Sequence, residues 1–260
     1  MLVDVHAHLS HEKFSKDLDK VLERAKKVGI KEIITSGVNV PTNREALKLS
    51  EKYDFVKTSL GLYPIDLLGL GSDESGLSRQ VEPFVLEDEL KFIKKNKDKI
   101  ISIGEVGMDF AWDKKHHDKQ KKNFEKIITF AEKLKKPIII HSRKAEKECL
   151  DLLESSKLKK VLLHCFSGNK KLIKKGEDLG YCFSIPAIII RLQHFQTLVE
   201  MVDMGKILTE TDAPWLSPYP GKRNEPSFIV ETIKKITEIK KLTKEEVEKI
   251  IFMNYKRFFL

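Results

Sequence analysis

Short runs of β-branched and aliphatic residues recur along the chain and alternate with longer, lysine-rich segments. The runs are continuously apolar, which is the pattern of parallel strands that are buried on both faces. This pattern predicts eight strands, at 2–5, 32–36, 56–60, 100–105, 137–141, 160–164, 181–184 and 207–211.

Amphipathic helices are predicted between these strands, because apolar residues recur there at three- and four-residue spacing. In the first helix the pattern runs through Leu18, Val21, Leu22 and Ala25, and Gly29 is the expected end. Further helices are predicted at 124–134, 145–153, 169–179 and 193–202. Eight repeats of strand then helix predict an α/β fold, a TIM-type (β/α)8 barrel that takes up residues 1–260 as a single domain. The glycine- and serine-rich segment 67–76 is predicted to be a loop after the third strand.

Composition narrows the class of protein. Hydrophobic residues make up 41% of the 260 positions and charged residues 33%. No apolar run approaches the ~20 residues that a membrane span needs. The N-terminus lacks the basic and apolar segments of a signal peptide, so we expect a cytoplasmic protein with no membrane association. The 3 cysteines have no C-x-x-C spacing, which argues against a disulfide framework or a thiolate zinc site.

The net charge of +9 favours an anionic substrate, although lysines on solvated helix faces account for much of it. The charge alone therefore does not decide between a nucleic acid and any other anion.

Histidine or carboxylate residues, which can bind a metal ion, lie at the ends of five of the eight predicted strands. The carboxyl ends of barrel strands share one rim, where the chemistry of such barrels takes place. A single histidine at a strand end is usually structural, but several buried ionisable groups on one rim are costly unless a cation offsets them. The sequence therefore predicts a metal site at this rim, formed by His6, His8, Glu105, His141, His164 and Asp212.

Four imidazoles and two carboxylates exceed what one ion takes from a protein when a coordination position stays open. They suit two divalent ions about 4 Å apart. We expect His6, His8 and Asp212 to hold the first ion, and His141 and His164 to hold the second. Glu105, from the middle of the series, is the expected bridge between the ions, and Asp212 is placed to accept a proton from the attacking water.

The remaining histidines lie in predicted helices and loops. We expect surface positions for His11, His116, His117 and His194.

An ordered set of motifs runs nearly from end to end of the chain. These motifs are Asp4-Val5-His6-Ala7-His8, Gly104-Glu105-Val106-Gly107-Met108-Asp109-Phe110, Ile140-His141-Ser142-Arg143, His164-Cys165-Phe166-Ser167-Gly168, Thr209-Glu210-Thr211-Asp212-Ala213-Pro214-Trp215-Leu216 and Arg223-Asn224-Glu225-Pro226. In them the chain resembles the TatD-type metal-dependent deoxyribonucleases of the amidohydrolase-like superfamily. The resemblance implies a hydrolase that acts on ester bonds and cleaves DNA phosphodiesters with two divalent ions, Mg, Mn or Zn. It implies the same six ligands. The sequence gives no indication of an obligate protein partner.

Three further residues are candidate substrate contacts. Arg143 and Arg223 can bind phosphate through their guanidinium groups. Many members of the family carry a histidine in a Gly-x-His-Pro segment, whereas this chain has Gly61-Leu62-Tyr63-Pro64. Tyr63 can donate a hydrogen bond to a phosphate oxygen in place of that histidine.

Two other functions stay open. One is an amidohydrolase-type hydrolase of a small-molecule amide, lactone or phosphoester, although many such enzymes use a carboxylated lysine where Glu105 is predicted here. The other is a non-catalytic barrel that serves as a nucleic-acid-binding or scaffold protein. Such a protein would be expected to lack a ligand, and none of the six is missing.

Overall fold

Ten strands are present among residues 1–72, 78–80 and 84–260, which the computed structural model describes. In chain order they are β1 (Leu2–Ala7), β2 (Ile30–Ser36), β3 (Val56–Leu62), β4 (Leu70–Ser72), β5 (Ser78–Gln80), β6 (Ser102–Asp109), β7 (Ile138–Arg143), β8 (Val161–His164), β9 (Cys182–Pro186) and β10 (Ile207–Glu210). Eight of them form one parallel sheet in the order β1, β2, β3, β6, β7, β8, β9, β10. Each overlaps one of the eight predicted strands, and β6 continues to Asp109, beyond its predicted end at Glu105.

Helices alternate with these strands. They are α1 (Leu18–Lys27), α2 (Val40–Lys52), α3 (Leu86–Lys95), α4 (His117–Leu134), α5 (Glu146–Glu154), α6 (Lys170–Asp178), α7 (Gln193–Met201), α8 (Ile229–Lys240) and α9 (Lys244–Phe259). The predicted (β/α)8 barrel is confirmed. Gly29, at φ +94°, follows the end of α1 as expected. None of the helices in the described part of the chain is both long and apolar enough to span a membrane.

The segment after β3 differs from its prediction as a loop. Asp66–Leu68 forms a short 3-10 helix, and β4 pairs with β5 in an antiparallel ribbon. Positions 73–76 of the predicted loop lie outside the described residues. The backbone hydrogen bonds of a ribbon do not require a periodic apolar pattern, so the hydrophobic periodicity gave no sign of it.

Side-chain hydrogen bonds join the two ends of the sheet, where β10 lies beside β1. The Thr209 hydroxyl donates to the Val3 carbonyl at 2.7 Å. The buried Asp4 carboxylate accepts from the Thr211 amide at 2.9 Å and from its hydroxyl at 2.5 Å. Burial raises the pKa of Asp4 to about 8, although these hydrogen bonds oppose the shift. The contacts hold β1 beside β10.

Glycine permits the close approach of β6 to β7. Gly107 is paired with His141, and its φ is +144°. A Cβ atom at Gly107 would lie 1.9 Å from the His141 carbonyl oxygen, so any larger residue must push the two strands apart.

We therefore expect Gly107→Ala to lower the free energy of unfolding in urea by about 2 kcal/mol or more, since the methyl group overpacks a buried strand pair. Gly221→Ala is the control, because Gly221 also has a positive φ (+72°) but nothing lies within 4 Å of its added Cβ. That substitution should cost only the strain of the left-handed backbone, about 1 kcal/mol. Equal losses in the two variants would contradict a role for the close strand approach.

Candidate metal centre

The six predicted ligand side chains converge: His6 and His8 lie at the end of β1, Glu105 within β6, His141 within β7, His164 at the end of β8 and Asp212 just after β10. They form three overlapping groups, and within each group the nitrogen and carboxylate ligand atoms lie within 4.8 Å of one another. These groups are His6, His164 and Asp212; His6, His8 and Glu105; and Glu105, His141 and His164. All six side chains are buried or only partly exposed.

Glu105 lies at the centre of this cluster. Its Oε2 atom is 3.0 Å from His164 Nε2, 3.4 Å from His6 Nε2 and 3.7 Å from His141 Nδ1. Its Oε1 atom is 4.0 Å from His8 Nε2. One carboxylate is therefore shared by all four imidazoles, which is the geometry expected of a bridging ligand.

Asp212 lies on the side of the cluster that belongs to β1. Its Oδ1 atom is 3.3 Å from His8 Nε2 and 3.6 Å from His6 Nε2. Its amide donates to the His6 carbonyl at 2.9 Å, which ties it to β1. The Asp212 side chain is 13% exposed against 7% for Glu105, so it is the carboxylate that solvent reaches more readily.

The outer ring nitrogens of His6 and His8 are both held by Ser36, at the end of β2. The Ser36 hydroxyl lies 3.1 Å from His6 Nδ1, and its carbonyl oxygen lies 3.2 Å from His8 Nδ1. A carbonyl only accepts, so His8 carries its proton on Nδ1 and turns the lone pair of Nε2 towards the centre.

Buried carboxylates hold the other two imidazoles. His141 Nε2 lies 3.0 Å from Asp109 Oδ2, and His164 Nδ1 lies 3.3 Å from Glu210 Oε2. A carboxylate partner on the outer nitrogen orients a histidine ligand and raises its basicity. All four inward nitrogens are thus prepared as ligands, and imidazole with carboxylate is a donor set that zinc, manganese and related ions accept. The residues fit a metal centre.

Asp109, Glu210 and Ser36 were not assigned a role from the sequence. A signal existed for the two carboxylates, since Asp109 follows Glu105 by four residues and Glu210 precedes Asp212 by two. Glu210 is fixed by the Ser184 hydroxyl at 2.6 Å and the Cys165 amide at 2.9 Å. Nothing in the sequence pattern singles out Ser36, whose contacts depend on the pairing of β1 with β2.

The pKa values of the cluster residues depend on their burial and on one another's charges. Burial disfavours the ionised form of Glu105, but hydrogen bonds from His141, His164 and His6 outweigh it and hold its pKa well below the usual range. Burial also opposes protonation of His141, yet its hydrogen bonds to Asp109 and Glu105 raise its pKa to about 9. Burial and the neighbouring His164 lower the pKa of His6. Positive charge is therefore favoured on His141 and disfavoured on His6.

Arg143 ends β7, two residues after His141, and its side chain is exposed. Its guanidinium carbon lies 5.2 Å from the centre of the Trp112 ring. Within the described part of the chain, no carboxylate or carbonyl accepts a hydrogen bond from this guanidinium, so its donors face solvent.

Arg223 has a different environment. Its guanidinium makes two hydrogen bonds to the Asp17 carboxylate, at 2.8 and 2.7 Å, and a third to the Lys13 carbonyl. It also lies over the Phe14 ring, 4.6 Å from the ring centre. The predicted phosphate contact of Arg223 therefore competes with an ion pair that is already formed.

The Tyr63 hydroxyl donates to Asp109 Oδ2 at 2.7 Å, and its ring centre lies 5.1 Å from that of His141. Tyr63 therefore lies beside the cluster, in contact with the carboxylate that holds His141.

The remaining histidines lie outside the cluster, and each has a local partner. His116 is exposed, whereas the other three are partly buried. The partners are the Asp113 carboxylate for His116, the Asp113 carbonyl for His117, the Phe166 carbonyl for His194 and the Lys13 amide for His11.

Metal-stripped protein should gain thermal stability when Zn²⁺ is added. An ion that binds only the folded state raises the free energy of unfolding by about 2.7 kcal/mol at one hundred times its dissociation constant. Glu105→Gln should lose most of this gain, because a neutral amide is a poor substitute for a central carboxylate ligand. His116→Gln, at an exposed histidine outside the cluster, should keep it. The same Zn²⁺-dependent rise in melting temperature in Glu105→Gln would show that the ion binds elsewhere.

Known proteins resemble this chain over nearly its whole length. The model of the TatD related DNase family matches residues 3–260. The uncharacterized metal-dependent hydrolase YabD of Bacillus subtilis is 33% identical over 100% of this chain and 99% of its own length. The human deoxyribonuclease TATDN3 is 35% identical over 99% of this chain and 94% of its own length.

Solved structures agree on the fold. The structure of YJJV, a TatD homologue from Escherichia coli K12, superimposes with a TM-score of 0.87 at 24% identity, over 99% of this chain and 97% of that one. A TatD family hydrolase from Entamoeba histolytica gives a TM-score of 0.84 at 19% identity, over 100% of this chain and 98% of that one. The match to the family model and the identity to its relatives show that this chain belongs to the TatD-related DNase family of metal-dependent hydrolases.

Proposed function

We propose that this chain is a deoxyribonuclease that hydrolyses DNA phosphodiester bonds, with two divalent ions, Mg, Mn or Zn, held at the barrel rim. The ligands in this proposal are His6, His8, Glu105, His141, His164 and Asp212. Residues 1–260 act as one hydrolase barrel domain, and no obligate protein partner is needed.

One observation carries the proposal. Glu105 lies within 4.0 Å of all four imidazoles, while each imidazole has its outer nitrogen bound to a second partner. In this arrangement the inward ring nitrogens and the carboxylate oxygens all point into one small volume, where they can bind a metal ion. A histidine cluster with only a structural role does not require this. The DNase activity named for the human relative and the net charge of +9 both favour a phosphodiester substrate.

The residues divide the catalytic work. Divalent ions at this site would polarise the phosphate and make the attacking water more acidic. Asp212, the more exposed carboxylate, accepts the proton of that water and can return it to the leaving 3′-oxygen. Glu105 contacts His6 and His8 on one side of the site and His141 and His164 on the other, and so fixes the distance between the two sides. Arg143 faces solvent beside His141 and stabilises negative charge on the non-bridging phosphate oxygens.

Metal-stripped protein, supplied with one divalent ion at a time, should cleave 3′- or 5′-labelled DNA, and Asp212→Asn should lower turnover about 10²- to 10⁴-fold with the fold intact. Asp178→Asn is the control, since Asp178 is an exposed carboxylate paired with Lys174 at 2.9 Å. Turnover and circular dichroism should be measured for both variants.

Full turnover in Asp212→Asn would remove this residue from the mechanism. If no ion supports cleavage of single- or double-stranded DNA by the unmodified protein, the alternative of a small-molecule amide, lactone or phosphoester substrate takes its place.

The two arginines should respond differently to substitution. Arg143→Met should raise the KM for DNA about 10- to 100-fold, the usual effect of losing a charge-assisted hydrogen bond. Arg223→Met should leave KM within about twofold and lower the free energy of unfolding by about 1 kcal/mol, because it breaks the partly exposed ion pair with Asp17. A rise in KM for Arg223→Met as large as that for Arg143→Met would instead support the phosphate contact predicted from the sequence.

A further inference from the structure

We propose that Tyr63 is a positioning residue: its hydroxyl fixes the carboxylate of Asp109, which in turn fixes the ring of His141. The inference rests on the proposed metal-dependent function of the cluster. It gives Tyr63 a role that differs from the substrate contact predicted from the sequence.

Asp109 is completely buried, and four donors surround its carboxylate. Oδ1 accepts from the amides of Ala111 and Trp112 at 2.9 and 3.0 Å. Oδ2 accepts from the Tyr63 hydroxyl at 2.7 Å and lies 3.0 Å from His141 Nε2. A carboxylate has about four lone-pair positions, so this arrangement saturates it and leaves it one orientation.

Two hydrogen bonds also fix the backbone of Tyr63. The Tyr63 amide donates to the Val38 carbonyl at 2.7 Å, and the Tyr63 carbonyl accepts from the Leu67 amide at 3.0 Å. The Tyr63 ring meets the His141 ring edge to face, at an interplanar angle of 77°. Tyr63 therefore contacts His141 both directly, through its ring, and indirectly, through Asp109.

The hydroxyl proton of Tyr63 is not available for a hydrogen bond to DNA. A phenol has a single proton, and this one is donated to Asp109. The hydroxyl is thus used inside the protein, on the oxygen atom that also holds His141.

The expected consequence is a weaker metal site when the hydroxyl is lost. Without it, Asp109 Oδ2 keeps only His141 as its partner, and the carboxylate fixes less firmly the ring whose Nδ1 lies 3.7 Å from Glu105 Oε2. Loss of a partner that orients a histidine ligand typically lowers metal affinity about 10- to 100-fold.

The test compares Tyr63→Phe with Tyr53→Phe. Tyr53 also donates its hydroxyl to a carboxylate, that of Asp19, at 2.5 Å, but on the exposed surface away from the cluster. The affinity of each metal-stripped variant for Zn²⁺ alone is measured by competition with a chromogenic chelator. Tyr63→Phe should bind Zn²⁺ about 10- to 100-fold more weakly than the unmodified protein, and Tyr53→Phe should not differ from it.

A second pair of variants tests the route through Asp109. In an Asp109→Asn background, adding Tyr63→Phe should change the Zn²⁺ affinity by less than about twofold, because the positioning carboxylate is already lost. An equal loss of affinity in both backgrounds would overturn the proposal. Unchanged Zn²⁺ affinity in Tyr63→Phe, with a raised KM for DNA, would also overturn it and restore the substrate contact. Zn²⁺ affinity is measured without substrate, so the result stands whether or not the protein cleaves DNA.

Discussion

Pairing of buried carboxylates with imidazoles at one barrel rim is the constraint on which the rest of the structure depends. The side chains of Asp109 and Glu210 are completely buried and that of Glu105 is 7% exposed, and burial of an unpaired charge there would cost several kcal/mol. Asp109 contacts His141, and Glu210 contacts His164. Glu105 contacts both histidines and so links the two pairs. Loss of any one member of the cluster therefore leaves a buried charge without its partner.

The barrel is built to bring this set together. Its six residues come from positions 6 to 212 of the chain, so their distances depend on strand register and closure. Asp4 and Thr211 join β1 to β10, while the missing side chain of Gly107 lets β6 approach β7. Residues that never touch a ligand or substrate thus set the distances between those that do. The same contacts stabilise the fold and prepare the site.

Much of this arrangement could be predicted from the sequence. The eight strands follow from continuous apolar runs, and the shared rim follows from the rule that barrel chemistry lies at the carboxyl ends of strands. His6 and His8 lie two residues apart at a strand end, so their common direction is a local property of the backbone. The antiparallel ribbon of β4 and β5 was missed because backbone pairing leaves no periodic trace in a glycine-rich segment.

The sequence by itself determined which residue types reach the rim, because the apolar runs and the polar residues that end them are local features of the chain. Only the tertiary structure decided how these residues are partnered. The ring nitrogen that His141 turns inward depends on Asp109, and the side chain that Tyr63 contacts depends on β3 lying beside β6. Likewise, Arg223 faces Asp17 across 206 positions of chain. Hydrogen bonds are satisfied by neighbours in space, and for these groups the neighbours are distant in sequence.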